Sequence, residues 1–225
     1  MSQAVMNRLA ATYDVDMENA DHLNVFPYDG YQLVLDGMAR ELSESFHLYP
    51  ISILDIGIGT GKLYQQIHPL KMQLTGIDFS EKMLQIAKVR LPQATLIEHD
   101  FMQGLPSALG NQTFDAIVSS YFFHSISMDH LIPTIDMLSR RLNKFGKIII
   151  GDAMFLTVSQ KRAKQIKEVD QWNEFAHYHV YEQILDRIPD HLSVSFFEVQ
   201  QGAGILIIEN YHECTLQNRE LLIKY

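Results

Sequence analysis

The chain has 225 residues, 47% of them hydrophobic and 20% charged, which suits one globular domain and excludes a wholly disordered or fibrous chain. Its 18 basic and 27 acidic residues leave a formal charge of −9, which argues against nucleic acid or anionic lipid as a default partner, since both need clustered Lys and Arg. The single cysteine, Cys214, excludes an internal disulfide and a structural zinc site built on several cysteines. The opening MSQAVMNRLA has no basic stretch followed by an apolar core, and no apolar run approaches the roughly 18 residues of a membrane span. These features predict a cytoplasmic protein with no membrane partner.

Residues 1–48 carry helical patterns. Val5, Met6, Leu9 and Tyr13 share one helical face after Ser2, a candidate N-cap. Tyr31, Val34, Leu35, Met38, Leu42 and Phe46 recur at helical spacing after Pro27, and the link DVDMENADHLNVFPYDG between the two stretches is polar.

From 51 to 153 strand and helix patterns alternate. ISILDIG, QLTGIDF, ATLIEHD, FDAIVSS and KIIIGDA read as strands. A short helix is predicted over 62–68, another in SEKMLQIAKVRL with Ser80 as N-cap, and a third in MDHLIPTIDMLSRRLN with Pro133 tolerated early. Such alternation means βαβ units and a parallel sheet. After 154 come two helical stretches, and then LSVSFFEVQQGAGILIIEN, a hairpin turning near 200–202 that closes the sheet. The expected organisation is a single domain over 1–225: a helical cap or lid (1–48), an α/β core (51–210) and a tail (211–225).

The strongest chemical signal is Asp55-Ile56-Gly57-Ile58-Gly59-Thr60-Gly61, which follows a strand and opens a helix. There, backbone N–H groups and a positive helix end can face a ligand. The spacing is G-x-G-x-G. Lys62 stands where a dinucleotide fingerprint needs its third glycine, and no phosphate loop of the G-x-x-x-x-G-K-[ST] type is formed. Asp55 puts a negative charge beside the loop, which suits a cationic group better than a pyrophosphate. Asp78 ends the second strand, where an acid can bond both hydroxyls of a ribose, and Phe79 offers an adenine a flat face. Asp100 ends the third strand, followed by Phe101, and can accept from an adenine amine. Acids at successive strand C-termini mark the ligand-binding edge of an open α/β sheet.

With ILDIGIGTGKL, LTGIDFSEKML, EHDFMQGLP and FDAIVSSYFFHSI in that order, the chain resembles the class I S-adenosylmethionine-dependent methyltransferases over 51–210. The resemblance implies a doubly wound, Rossmann-like seven-stranded sheet with an antiparallel last strand. It implies that Asp55, Gly57, Gly59 and Gly61 hold the methionyl end of S-adenosylmethionine and that Asp78 binds the ribose, with Phe79 flanking the adenine. By the same resemblance, Asp100 and the backbone of Phe101 read the adenine edge, and the Ser119 carbonyl meets the methionyl ammonium. The region Ser119-Ser120-Tyr121-Phe122-Phe123-His124 lacks the Asp/Asn-Pro-Pro-aromatic motif of adenine-amine methyltransferases, so the resemblance favours a small-molecule acceptor.

His124 is the candidate base, with a structural hydrogen-bonded histidine as the competing reading. His177-Tyr178-His179 looks like a metal pair, yet alternate residues do not share a helical face and no acid partner is evident. Tyr13, Tyr28 and Tyr31 belong either to a lid over the cofactor or to the packing of the N-terminal helices. Two other functions fit the sequence: a non-catalytic module for S-adenosylmethionine or S-adenosylhomocysteine, and, with less support from the loop spacing, an NAD-dependent oxidoreductase. A homodimer is compatible with the sequence without being read from it.

Overall fold

The computed structural model describes residues 2–46, 50–67 and 71–211. Cys214, His68 and nearly all of the tail lie outside them. In chain order the elements are α1 (Gln3–Leu9), α2 (Tyr13–His22), α3 (Tyr31–Ser45), β1 (Ile51–Ile56), β2 (Met72–Asp78), α4 (Glu81–Arg90), β3 (Thr95–Glu98), β4 (Phe114–Ser120), α5 (Met128–Ser139) and β5 (Leu142–Asp152). There follow β6 (Met154–Phe155), α6 (Val158–Lys167), β7 (His179–Val180), α7 (Tyr181–Leu185), β8 (Leu192–Gln200) and β9 (Ala203–Asn210).

The main sheet has seven strands in the order β3-β2-β1-β4-β5-β9-β8. Strands β3, β2, β1, β4 and β5 run parallel, and β9 is antiparallel to both its neighbours. This is the expected sheet with its antiparallel last strand. The strand order reverses between β1 and β4, and the crevice at such a switch point is where open α/β sheets bind ligands.

The alternation of strand residues explains the layers. Ile51 and Ile53 of β1, Val118 of β4, Ile149 of β5 and Ile205 and Ile207 of β9 face one side, where Val34, Leu35, Met38 and Leu42 of α3 complete a buried cluster. Leu54, Ile56, Ile117, Ile148, Ile150, Leu206 and Ile208 face the other, against Leu131, Ile135 and Leu138 of α5. Among the described residues no helix is long and apolar enough to cross a membrane.

The elements differ from the sequence reading in five places. The first N-terminal helix is two helices, and α2 lies within the stretch read as a polar link; its Asp21 accepts from the backbone N–H groups of Gly30 and Gln32 and so ties α2 to the start of α3. Ser2 stands at the N-cap of α1 without a side-chain cap bond, whereas Ser80 caps α4 by accepting from Met83 N at 3.3 Å. The turn after the glycine loop is a 3₁₀ helix, Lys62–Gln65. Finally, α5 stops at Ser139, and Leu142 and Asn143 already belong to β5. Pairing with Phe114, and a bond from Asn143 Nδ2 to Asp115 at 2.8 Å, outweigh the helical period there. Two short strands, β6 and β7, pair with each other; the sequence pattern carried no sign of them.

Candidate active site

The glycine loop leaves the C-terminal end of β1, and all three of its glycines have positive φ. At Gly59 (φ +54°) a Cβ would meet nothing closer than 3.9 Å, so a side chain there would project into open space at the loop mouth. At Gly57 a Cβ would stand 2.9 Å from Phe122. The first glycine thus permits close approach of the β4 loop, and the second leaves room for a ligand.

Two adjoining cavities of about 260 and 80 Å³ open beside the loop and share Tyr13, Gly57, Asp78, Phe79, Tyr121 and Phe122 in their walls. The larger also takes in Asp100, Phe101, Tyr28 and His124; the smaller takes in Gly59, Lys62, Tyr31 and Ser120. A third hollow of about 390 Å³, between α1 and α4, is lined by Lys82, Gln85 and Arg90 among others and lies outside this constellation.

The candidate residues read from the sequence divide into two groups. Asp78, Phe79, Asp100, Phe101, Gly57, Gly59 and His124 all line one or both cavities. Asp55 and Ser119 lie beneath the surface, each 1% exposed, and Gly61 is likewise buried. Ser119 Oγ donates to the Ile56 carbonyl at 2.7 Å and ties β4 to β1, while its neighbour Ser120 reaches the cavity wall.

Asp78 organises the loop from the end of β2. Its carboxylate accepts from Gly59 N at 2.9 Å and from Ser80 N at 2.8 Å. Burial pushes its pKa up, and those backbone donors oppose the shift. Asp100 caps the turn at the end of β3, accepting from Met102 N at 3.0 Å. Phe101 packs edge-on to Phe122.

Asp55 is buried with its Oδ1 outside any hydrogen bond of normal geometry. Burial raises its pKa to about 7, against the lowering effect of the Tyr64 hydroxyl, and the charge of Asp78 adds to the rise. The sign of the stability effect follows. Below about pH 4 Asp55 is protonated in folded and unfolded chains alike. Between about pH 4 and 7 the unfolded chain ionises first, and the folded state loses stability up to a plateau. Asp55→Asn is therefore expected to raise the melting temperature at pH 8 and to leave it nearly unchanged at pH 4. Equal shifts at both pH values would refute a titrating Asp55.

His124 sits after β4 and is held by Asp152, the last residue of β5. Asp152 Oδ1 accepts from His124 Nδ1 at 2.8 Å and from Ala153 N at 2.7 Å, and Oδ2 accepts from His124 N at 2.9 Å. An ionised carboxylate only accepts, so Nδ1 carries the proton and Nε2 is left as the acceptor nitrogen. Burial lowers the His124 pKa, but the charge and hydrogen bond of Asp152 outweigh it and the net shift is upward. Asp152 was missed in the sequence. The signal available was its place at a strand C-terminus in KIIIGDA, the position that had singled out Asp78 and Asp100.

His177 and His179 each make a backbone contact. His179 Nε2 pairs with the Phe123 carbonyl at 3.1 Å, and burial lowers its pKa to about 4. His177 N donates to the His124 carbonyl at 2.7 Å.

Helices α1 and α2 bury no residue of their own and cross the loop on polar contacts. Gln3 donates to the Phe79 carbonyl, Asn7 accepts from Ser80 Oγ, Asp14 pairs with Arg90 and accepts from Thr60, and Glu18 pairs with Lys62. Tyr13 and Tyr28 face the cavities from this cap, whereas Tyr31 is largely core, 4% exposed.

Comparison with known proteins assigns the class. A methyltransferase-domain family model matches residues 53–146. An uncharacterized methyltransferase of Alkaliphilus oremlandii (strain OhILAs) is 30% identical over 158 residues, covering 70% of each chain. One of Anoxybacillus flavithermus is 29% identical over 152 residues, covering 68% of this chain and 67% of the relative. The chain belongs to the methyltransferase family, and the protein is a methyltransferase. Its fold is shared with DhpI in a complex with SAM and HEP (TM-score 0.64, 15% identity, 92% and 94% of the two chains). It is also shared with magnesium protoporphyrin IX methyltransferase from Synechocystis PCC 6803 with bound SAH (TM-score 0.58, 18% identity, 82% and 84%).

Proposed function

We propose that the protein transfers the methyl group of S-adenosylmethionine to a small-molecule acceptor by in-line displacement. The observation that carries this reading is the His124–Asp152 pair, opening on the same cavity that Asp78, Asp100 and the glycine loop border. The residues fit the cofactor. Open space at Gly59 admits a ligand against the loop, the carboxylates of Asp78 and Asp100 line the wall where ribose and adenine would lie, and Phe79 and Phe101 supply apolar faces. Asp55 lies buried under the loop with its pKa raised to about 7, and a methionyl ammonium beside it would favour its ionised form. Fold relatives include a methyltransferase named for magnesium protoporphyrin IX, in line with a small acceptor.

When bound, S-adenosylmethionine supplies an electrophilic methyl on a sulfonium. The chain's own residues do the rest. Asp78 and Asp100 orient the nucleoside, and Ser120 and the loop backbone position the other end. The cap helices exclude water. Asp152 holds His124 in the tautomer whose Nε2 removes a proton from the acceptor. Positioning supplies most of the rate in a displacement of this kind.

Calorimetric titration with S-adenosylmethionine, S-adenosylhomocysteine and NAD tests the reading. Binding of the first two alone, followed by turnover of cofactor with an acceptor pool, is the expected result. Binding of NAD alone, or of none, overturns it.

A further inference from the structure

At the junction of the two cavities stands a group of tyrosines. The ring centroids of Tyr28 and Tyr31 lie 5.5 and 5.0 Å from that of Tyr121, and 6.3 Å from each other. Tyr13 borders both cavities beside them. Tyr121 is held at φ 51°, a conformation a bulky side chain seldom adopts, and its buried hydroxyl has no hydrogen-bond partner.

The field at this cluster is negative. Besides burial, Asp152 raises the pKa of Tyr13, Tyr28 and Tyr121, Asp78 that of Tyr13, Asp21 that of Tyr121, and Asp14 and Glu18 that of Tyr31; Arg90 opposes this only at Tyr31. Among the described residues no Lys or Arg lines the larger cavity. Lys62, which borders the smaller cavity, is paired with Glu18, and Arg90 is paired with Asp14. An anionic acceptor would meet carboxylates without a counter-charge. A cation would meet electron-rich ring faces and an electronegative wall.

We propose that the acceptor is a small amine, bound as its ammonium ion against Tyr28 and Tyr121 and methylated on nitrogen. The proposal rests on the methyltransfer reading of this site and extends it to a substrate class. A sulfonium alone would also be attracted by the rings, but it gives no role to His124–Asp152. An ammonium ion must lose a proton before it can attack, whereas a carboxylate or thiolate is already nucleophilic. His124 Nε2 takes one ammonium proton. The freed lone pair forms the N–C bond as the methyl C–S bond breaks and its electron pair returns to sulfur. The methylated ammonium product keeps the positive charge that the sulfonium gave up.

The test uses the full chain saturated with S-adenosylhomocysteine and three probes of one size: benzylamine, benzyl alcohol and benzoate, at pH 7.5. Benzylammonium is expected to bind about tenfold or more tighter than either isostere. Tyr28→Leu should lower that affinity about fivefold or more, and Tyr28→Phe, which keeps the ring, should restore it. Retained S-adenosylhomocysteine binding in Tyr28→Leu shows that the variant is folded. Equal affinity for the three probes, a preference for benzoate, or binding of none overturns the amine assignment while leaving the cofactor reading intact. Failure of wild-type protein to bind S-adenosylhomocysteine overturns the cofactor reading, and the amine assignment with it.

Discussion

Asp78→Asn is expected to weaken S-adenosylmethionine binding by about tenfold to a hundredfold, the loss of roughly 1.5–3 kcal/mol that accompanies removal of a charge-assisted hydrogen bond. Two effects combine. The carboxylate accepts from the backbone N–H groups of Gly59 and Ser80, so it holds the glycine loop in shape. An amide can accept one of these bonds, but its NH₂ then faces the other donor. The remaining acceptor capacity of the carboxylate is what a ribose would use. Calorimetry with S-adenosylmethionine checks the affinity, and thermal melting separates it from unfolding. Because burial raises the Asp78 pKa, a neutral replacement relieves a desolvation cost that offsets the lost backbone bond, and the melting temperature at pH 7 should change little while affinity falls. Gly59→Val should give the same loss of affinity for a different reason. Its side chain would occupy the open space at the loop mouth, and a φ of +54° costs a β-branched residue about 1–2 kcal/mol. Unchanged affinity in both variants would remove Asp78 and the loop from the cofactor site.

Asp152→Asn is expected to lower kcat about 10²- to 10⁴-fold with cofactor affinity nearly unchanged. Asp152 makes no contact that the cofactor reading needs; its oxygens serve His124 and Ala153. With the amide NH₂ in place of Oδ1, both His124 Nδ1 and Ala153 N lose their acceptor, and an NH₂ facing Nδ1 favours the tautomer that protonates Nε2. The base is then lost although the ring remains. The pH profile supplies a second readout. Transfer needs neutral His124, so kcat/KM falls as the pH drops through its pKa, which Asp152 holds above the ordinary value of about 6.5. Removing the charge should move this acid limb to lower pH. A variant with wild-type kcat, or with an unmoved acid limb, would make the pair purely structural.

The glycine loop and the acids that border the cavity were legible because they are local in sequence. A strand, a glycine turn and a following helix are encoded within a dozen or so residues, and acids at the ends of adjacent parallel strands reach the same edge by topology alone. Asp78, Asp100 and the loop could therefore be named in advance, as could the hairpin turning at Gly202, where φ is +92°. The helix boundaries were less legible. The break between α1 and α2 comes where Asp14 and Glu18 turn to meet Arg90 and Lys62, partners far along the chain, and the early end of α5 comes from pairing with β4. The burial of the Ser119 and Asp55 side chains could not be read from position. Both occupy the expected strand ends, yet the pleat and the loop place them below the cavity wall, where Ser119 is tied to β1 and Asp55 carries a raised pKa.

What the sequence determined by itself was the order of strands and helices, the loop and the acids that border it, because periodicity and turn chemistry act over a few residues. Tertiary structure alone decided which acid holds His124. It also decided that Tyr28 and Tyr31, from the chain before the sheet, meet Tyr121 from the end of β4. Those contacts join residues far apart along the chain, and only sheet pairing and the burial of α3 bring them within a few ångströms of each other.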